Sequence, residues 1–416
     1  MAIGLNNLFS ISFSLLTDDG QTRVSDFIDN DGLVSFVTSE QCGGNLPTYD
    51  LSFKTSDSRI LSMLNDTHTL LVKFGLEKET IFECLYISKE KESTKVGTGQ
   101  ELIKTSGILN KLRFISNPKQ RIFKQKTSLQ VVNLVLGTNF NEDDIIIETD
   151  VETNDLMNWI QPNQTDYKFI QDTLIHSNSL NSSLIHGITI DGKFIIKDLI
   201  KAIKEEPKWK FVPQLIDQED IVYNPTYSLF DYSGIINSWV GYGQERMLYN
   251  ANDGTSEKIS YDPEPILSLT DKLPRNSSID RYMANSIVNT SNTHDKYWQS
   301  QMKNLTRLGI LSNIELRLNF TDRFNNIRLL DLVLFKDLSV DNTNNIVSND
   351  YNSGLYFVTR VTRTIENNRI GTSVSLSRES FNNISGDSRQ SVVVDETDPE
   401  ELASLFSDSF SIFSDE

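Results

Sequence analysis

Residues 353–380 read SGLYFVTRVTRTIENNRIGTSVSLSRES, and this stretch decides the fold class. In the second half Val374 and Leu376 alternate with Ser373, Ser375 and Ser377, the period-2 pattern of a strand with one buried face. The linking Glu366-Asn367-Asn368-Arg369 carries two asparagines, which accept the left-handed backbone geometry of a tight turn. Residues 353–380 are therefore expected to form a long antiparallel hairpin.

Working outward, IELRLNF (314–320) alternates strictly through Ile314, Leu316, Leu318 and Phe320, and LLDLVLF (329–335) reads as a more continuously apolar strand. An Asn-rich loop is expected over 341–353, and IINSWVGYG (235–243) as a further strand. Residues 251–305, with Pro263, Pro265 and Pro274, read as a polar, irregular excursion. Residues 209–386 thus form one β unit, with Trp239, Leu316, Leu318, Tyr356, Val358, Val374 and Leu376 as its expected core.

The front of the chain repeats the theme. Phe9, Ile11, Phe13 and Leu15 alternate with serines, so the apolar opening is a strand. The first basic residue is Arg23 and no apolar run approaches about 18 residues, so a soluble protein made in a cytoplasm is expected, with no membrane insertion. Further strands are expected at Tyr49–Phe53, TLLVKFG (69–75), IFECLYIS (81–88) and KLRFIS (111–116), making 1–125 a first β unit. Between the two, residues 126–208 change character. TSLQVVNLVLG (127–137) is a short helix with Thr127 as N-cap and Gly137 as stop. QPNQTDYKFIQDTLIHSN (161–178) is a second, with Thr165 as cap and Phe169, Ile170 and Leu174 as its apolar stripe. IHGITI and KFIIKDL flank Asp191-Gly192, which favours a type I′ hairpin. Residues 387–416 carry nine acidic side chains against Arg389 and are expected to be a flexible tail. In it DPEELASLF (398–406) starts a helix whose apolar face, Leu402, Leu405 and Phe406, suits docking to a partner.

A formal charge of −18 argues against a phosphate-gripping surface, so no sequence-specific nucleic-acid binding is expected. The basic RFISNPKQRIFKQK (113–126) is read instead as an electrostatic docking site for an acidic neighbour. Cys42 and Cys84 are too few for a disulfide framework and are read as free, partly buried thiols. His68, His176, His186 and His294 show no metal-site spacing, and His176 and His186 read as surface or helix-terminal side chains. The acidic pairs Asp143-Asp144 and Glu205-Glu206 read as solvated faces, and no GxGxxG or P-loop occurs. No catalytic, metal or cofactor-binding residues are assigned, and the chain is not read as an enzyme.

Taken in order, TSLQVVNLVLG, WIQPNQTDYKFIQDTLIHSNSL (159–180), ITIDGKFIIKDL (188–199), INSWVGYG (236–243), SGLYFVTRVTRTI and TSVSLSRES resemble the phage tail baseplate hub family, related to the N-terminal hub part of type VI secretion spike proteins. The likeness covers about residues 1–385. The chain departs from the pattern at Val374 on its last strand, lacks a histidine common after the valine strand, and ends in an acidic tail without a spike or lysozyme domain. The resemblance implies a mainly β, α+β chain with two tail-tube-like antiparallel β-barrel domains, 1–125 and 209–386. An α/β insertion domain, 126–208, would lie between them. It further implies a homotrimer that adapts a hexameric tail tube to a trimeric spike and leaves a channel for DNA. The implied partners are the tail tube protein, a separate spike protein, the tape measure protein and other baseplate subunits. The implied place is the virion tail baseplate, assembled in the host cytoplasm. The competing readings are a β-rich tail adhesin, which needs an exposed ligand groove, and a tail-associated hydrolase, which needs convergent carboxylates.

Overall fold

The computed structural model describes residues 3–381, apart from 6–8, 18–19, 30–31, 44, 58, 65–68, 77–81, 98, 148–150, 180–181, 212–225, 233–243, 251–253, 265, 268–281, 290–292, 322–325, 341–345, 350 and 367–368. The first strands are β1 (Ile3–Leu5), β2 (Phe9–Thr17), β3 (Gly20–Arg23), β4 (Leu33–Gln41) and β5 (Thr48–Thr55). After α1 (Arg59–Met63) come β6 (Thr69–Leu76), β7 (Phe82–Lys95) and β8 (Glu101–Leu109). The alternation read in the sequence reflects real burial: Ile11 and Phe13 are 0% exposed and Leu15 2%. Phe13, Phe36, Phe74 and Phe82 then form a chain of ring contacts with centroids 5.5, 5.9 and 5.2 Å apart, which fastens β2, β4, β6 and β7 together. At Gly107, opposite Ser88 in a bulge of β7, an added Cβ would lie 2.0 Å from the Ile87 carbonyl oxygen, so only glycine allows that approach.

The middle region opens with α2 (Leu112–Ser116), β9 (Pro118–Lys126) and α3 (Ser128–Leu136). There follow β10 (Ile145–Ile147), β11 (Met157–Thr165), α4 (Asp166–Ile175), β12 (Leu184–Ile188), β13 (Phe194–Asp198) and α5 (Leu199–Ala202). Both expected caps are present. Thr127 accepts from Gln130 N while Gln130 returns its side-chain oxygen to Thr127 N, a reciprocal capping box. Thr165 accepts from Lys168 N at the head of α4. Three details differ from expectation. KLRFIS forms the helix α2 rather than a strand, because Phe114 is the residue that must turn inward, at 1% exposure. Gly137 ends α3 in right-handed conformation, φ −58°. In the β12–β13 turn only Gly192 takes positive φ, +83°, and its N–H donates to Thr189 O, so the turn is not type I′.

The last region holds β14 (Trp209–Phe211), β15 (Thr226–Asp231), β16 (Gln244–Asn250), β17 (Ser256–Tyr261) and β18 (Tyr282–Asn289). Then come α6 (Tyr297–Leu311), β19 (Ile314–Thr321), β20 (Leu332–Phe335), β21 (Leu338–Val340), β22 (Ile346–Ser348), β23 (Gly354–Glu366) and β24 (Arg369–Arg378). The stretch 251–305, expected as an irregular excursion, holds regular structure among its described residues: β17 and β18 pair with β16 in a three-stranded sheet against α6. Leu248, Ile259 and Met302 supply its small core.

The fold is mainly β and mostly antiparallel. Among the described residues one sheet of 14 strands runs in the order β1-β2-β6-β7-β8-β5-β4-β23-β24-β19-β15, with β3, β14 and β20 attached. Its path is open, and it passes without a break from the first β region into the last across β4 and β23. The first and middle regions share a single apolar core, while Leu316, Leu318, Val358, Val374 and Leu376 belong to a second.

Candidate functional site

The two β regions meet where β4 pairs with β23, and that seam is built around charge. Glu40 and Arg363, 1% and 2% exposed, form an ion pair at 2.9 Å. The other Glu40 oxygen accepts from Ile190 N at 2.8 Å, in the β12–β13 turn, and Arg363 donates to Ile327 O at 2.6 Å. The guanidinium groups of Arg363 and Arg328 lie 4.6 and 4.5 Å from the Phe82 ring centroid. Arg328 also reaches Asp191 at 3.0 Å. Burial, the largest influence, pushes the Asp191 carboxyl up, but the Thr189 hydroxyl and Arg328 outweigh it and hold it below the usual range. All three regions therefore converge on one buried network. Beside it Gly187 bridges to Cys42, and a Cβ on Gly187 would lie 2.3 Å from Leu329. Cys42 donates to His186 O, and burial pushes its thiol up to about 12, so the group is inert at neutral pH.

A second joint links α4 to α6. His176 stacks on Tyr297 at 4.0 Å, His294 bonds through Nε2 to His176 O at 3.0 Å, and Trp159 lies 6.3 Å from both His294 and Tyr297. Asn304 donates to the carbonyls of Leu174, Ile175 and Ser177, closing the C-terminal end of α4. His186 is an interior side chain rather than a surface one, whereas His176 is half-buried and sits at the C-cap of α4, the helix-terminal place expected for it. Burial lowers both imidazoles to about 4, in His176 against the opposing pull of its hydrogen bond with the Asp172 carbonyl.

The basic stretch turns partly inward. Lys119 and Arg121 both pair with Asp166, whose side chain is fully buried and also accepts from Asn139 and Gln161. Burial acts on that carboxyl most strongly and raises it, yet these four donors together hold it below its ordinary value. The acidic neighbour of Lys119 and Arg121 is thus this chain's own Asp166.

A cavity of about 490 Å³ lies between α4 and the end of β4, lined by Tyr167, Lys168, Gln171, Asp172, His186 and Leu308 among others. Among the described residues no three His, Cys, Asp or Glu side chains converge as a metal site would require. Of the expected core residues, Leu316, Leu318, Tyr356, Val358, Val374 and Leu376 are each 0% exposed. Trp239 and the tail residues Leu402, Leu405 and Phe406 lie outside the described residues, as do His68 and the asparagines of the 366–369 turn. The Glu40–Arg363 seam was not legible in the sequence, where both residues look like ordinary strand surface positions.

No protein-family model matches the chain, and no curated protein matches its sequence. Solved structures do match. A tail protein from Neisseria meningitidis MC58 is 11% identical, with 89% of this chain and 97% of that chain covered, at a TM-score of 0.56. The 43 kDa tail protein of prophage MuSo2 from Shewanella oneidensis is 11% identical, covering 88% and 97%, at 0.52. A chain of the half-lidded Francisella PdpA–VgrG complex is 10% identical, covering 89% of this chain and 58% of that one, at 0.50. The fold is therefore that of phage tail proteins and of the VgrG complex, the group to which the sequence resemblance pointed. Two of these neighbours are described as tail proteins and the third as a chain of the PdpA–VgrG complex.

Proposed function

We propose that this chain is a structural subunit of a baseplate hub, in a phage tail or a related contractile injection machine. Three copies would form a ring that adapts a hexameric tail tube to a trimeric spike and leaves a channel for DNA. The observation that carries this reading is the fold shared with two tail proteins over nearly their whole length.

The architecture supports it physically. In this reading the two β regions joined by the open sheet serve as a pair of similar β units per chain, so that three chains present six and match a sixfold tube on one face. The finer claim, that each unit curls into a tail-tube-like barrel in the assembled ring, belongs to this proposal. Edge strand β15, with Thr226, Tyr227, Ser228 and Asp231 exposed, is the kind of edge that a neighbouring subunit can cover. A formal charge of −18 per chain would keep translocating DNA from adhering to the channel wall. The spike and tube proteins, the tape measure protein and other baseplate subunits are the proposed partners, and the virion tail is the proposed location.

Light scattering of the purified chain across concentration, with and without the spike protein of the same particle, tests the reading. A trimer, alone or on spike addition, is the expected result. A chain that stays monomeric with spike and tube proteins present would remove the hub assignment and leave a tail adhesin as the alternative.

A further inference from the structure

The β9–β11 pair is a two-stranded ribbon with unlike faces. Its inner face is packed: Phe123 stacks on Phe169 of α4 at 5.8 Å, and Trp159 is 3% exposed. On the outer face Ile122 and Ile160 are register partners, 60% and 53% exposed, with Lys124 and Pro162 exposed beside them. The charge on this ribbon has one sign, since β9 carries Lys119, Arg121, Lys124 and Lys126 and β11 carries no charged residue. Lys119 and Arg121 are taken up by Asp166, while Lys124 and Lys126 are exposed and enter none of the ion pairs among the described residues. An apolar isoleucine pair edged by unpaired cations suits an acidic segment with an apolar stripe.

The chain carries such a segment. Residues 387–416 hold nine acidic side chains against one arginine, and Leu402, Leu405 and Phe406 recur at helical spacing behind Asp395, Glu396, Asp398, Glu400 and Glu401. Helix α6 serves as a ruler between the two. At its C-terminal end Asn313 donates to Glu379 O at 3.4 Å, and at its first turn the Tyr297 ring lies 6.3 Å from Trp159 in β11. Fifteen helical residues rise about 22 Å, so Glu379 lies roughly 30 Å from the ribbon. The residues from Phe381 to Asp395 can span up to about 46 Å, enough to reach it in the same molecule. Such a tether supplies an effective concentration on the order of millimolar.

We propose that the outer face of the β9–β11 ribbon is the docking site of this chain's own acidic segment, residues 395–413. Leu402, Leu405 and Phe406 rest on Ile122 and Ile160, and the carboxylates lie beside Lys124 and Lys126. The inference does not depend on the baseplate reading.

The test is carbodiimide cross-linking of the full chain with peptide mapping by mass spectrometry, on an equal mixture of unlabelled and 15N-labelled protein. The exposed Lys73–Glu83 pair, 2.7 Å apart, is the internal control. The expected result is links from Lys124 or Lys126 to carboxylates of 395–401 within single chains. Their yield should fall about tenfold in the I122S/I160S variant, as loss of the apolar contact demands, with the control link unchanged. Control links without ribbon-to-tail links, links that join labelled to unlabelled chains, or an unchanged yield in I122S/I160S would each overturn the proposal.

Discussion

Replacing Glu40 with alanine isolates the seam between the two β regions. The change leaves the Arg363 guanidinium buried at 2% exposure without its carboxylate partner, among contacts that include the Ile327 carbonyl and the face of Phe82, and takes the acceptor from Ile190 N. Breaking a buried ion pair from one side costs about 3–5 kcal/mol, and an orphaned buried N–H about 1–3 kcal/mol. The two overlap where the site relaxes, so a loss of about 4–6 kcal/mol is expected. Replacing both partners, in Glu40→Met with Arg363→Met, removes the uncompensated charge and should recover more than half of that loss. Native-state hydrogen exchange of the β4 and β23 amides reads the local free energy, and urea melts read the global one without adding salt. If Glu40→Ala costs less than about 1 kcal/mol, or if the double variant is less stable than the single one, the seam is not held by this network.

Thr127→Ala should cost about 1 kcal/mol by removing the capping box of α3, and Thr127→Ser should restore most of it in thermal melts. Asn304→Leu should cost about 1–3 kcal/mol by stripping three carbonyls at the end of α4, with faster exchange in α4 and α6 but not in β23. The depressed imidazole of His186 makes stability pH-dependent. The unfolded chain takes up its proton near pH 6.5 and the folded chain only near 4, so stability is whole above about 6.5 and falls as pH drops through that window. At pH 5 the loss from this one group is about 2 kcal/mol, and His186→Phe should flatten the slope of melting temperature against pH. Gly107→Ala should prevent proper pairing of β7 with β8, seen as loss of soluble folded protein, whereas Gly309→Ala, in open space on α6, should still fold.

Where elements are specified by neighbours in the chain, reading and structure agree. The Thr127 and Thr165 caps are set by residues three positions away, and strands such as Leu316–Leu318 and Ile11–Phe13 by strict alternation. Helix α6 escaped because its buried side includes Ser300, Asn304, Thr306 and Arg307, so its apolar periodicity is diluted by polar side chains, of which Asn304 and Arg307 meet their partners only in the folded chain. KLRFIS is too short for periodicity to separate strand from helix, and packing of Phe114 against Phe140 and Tyr167 settled it. The turn at Asp191 missed type I′ because Thr189 and Arg328 claim the aspartate side chain.

Sequence alone determined that this is a mainly β chain with a capped helical middle, because period-2 burial and helix capping are local properties written in consecutive residues. Tertiary structure alone decided that the two β regions share one open sheet, and that Glu40, Phe82, Asp191, Arg328 and Arg363 meet. Strand pairing and charge pairing across more than 300 residues depend on which surfaces come together, and no spacing within the chain records that.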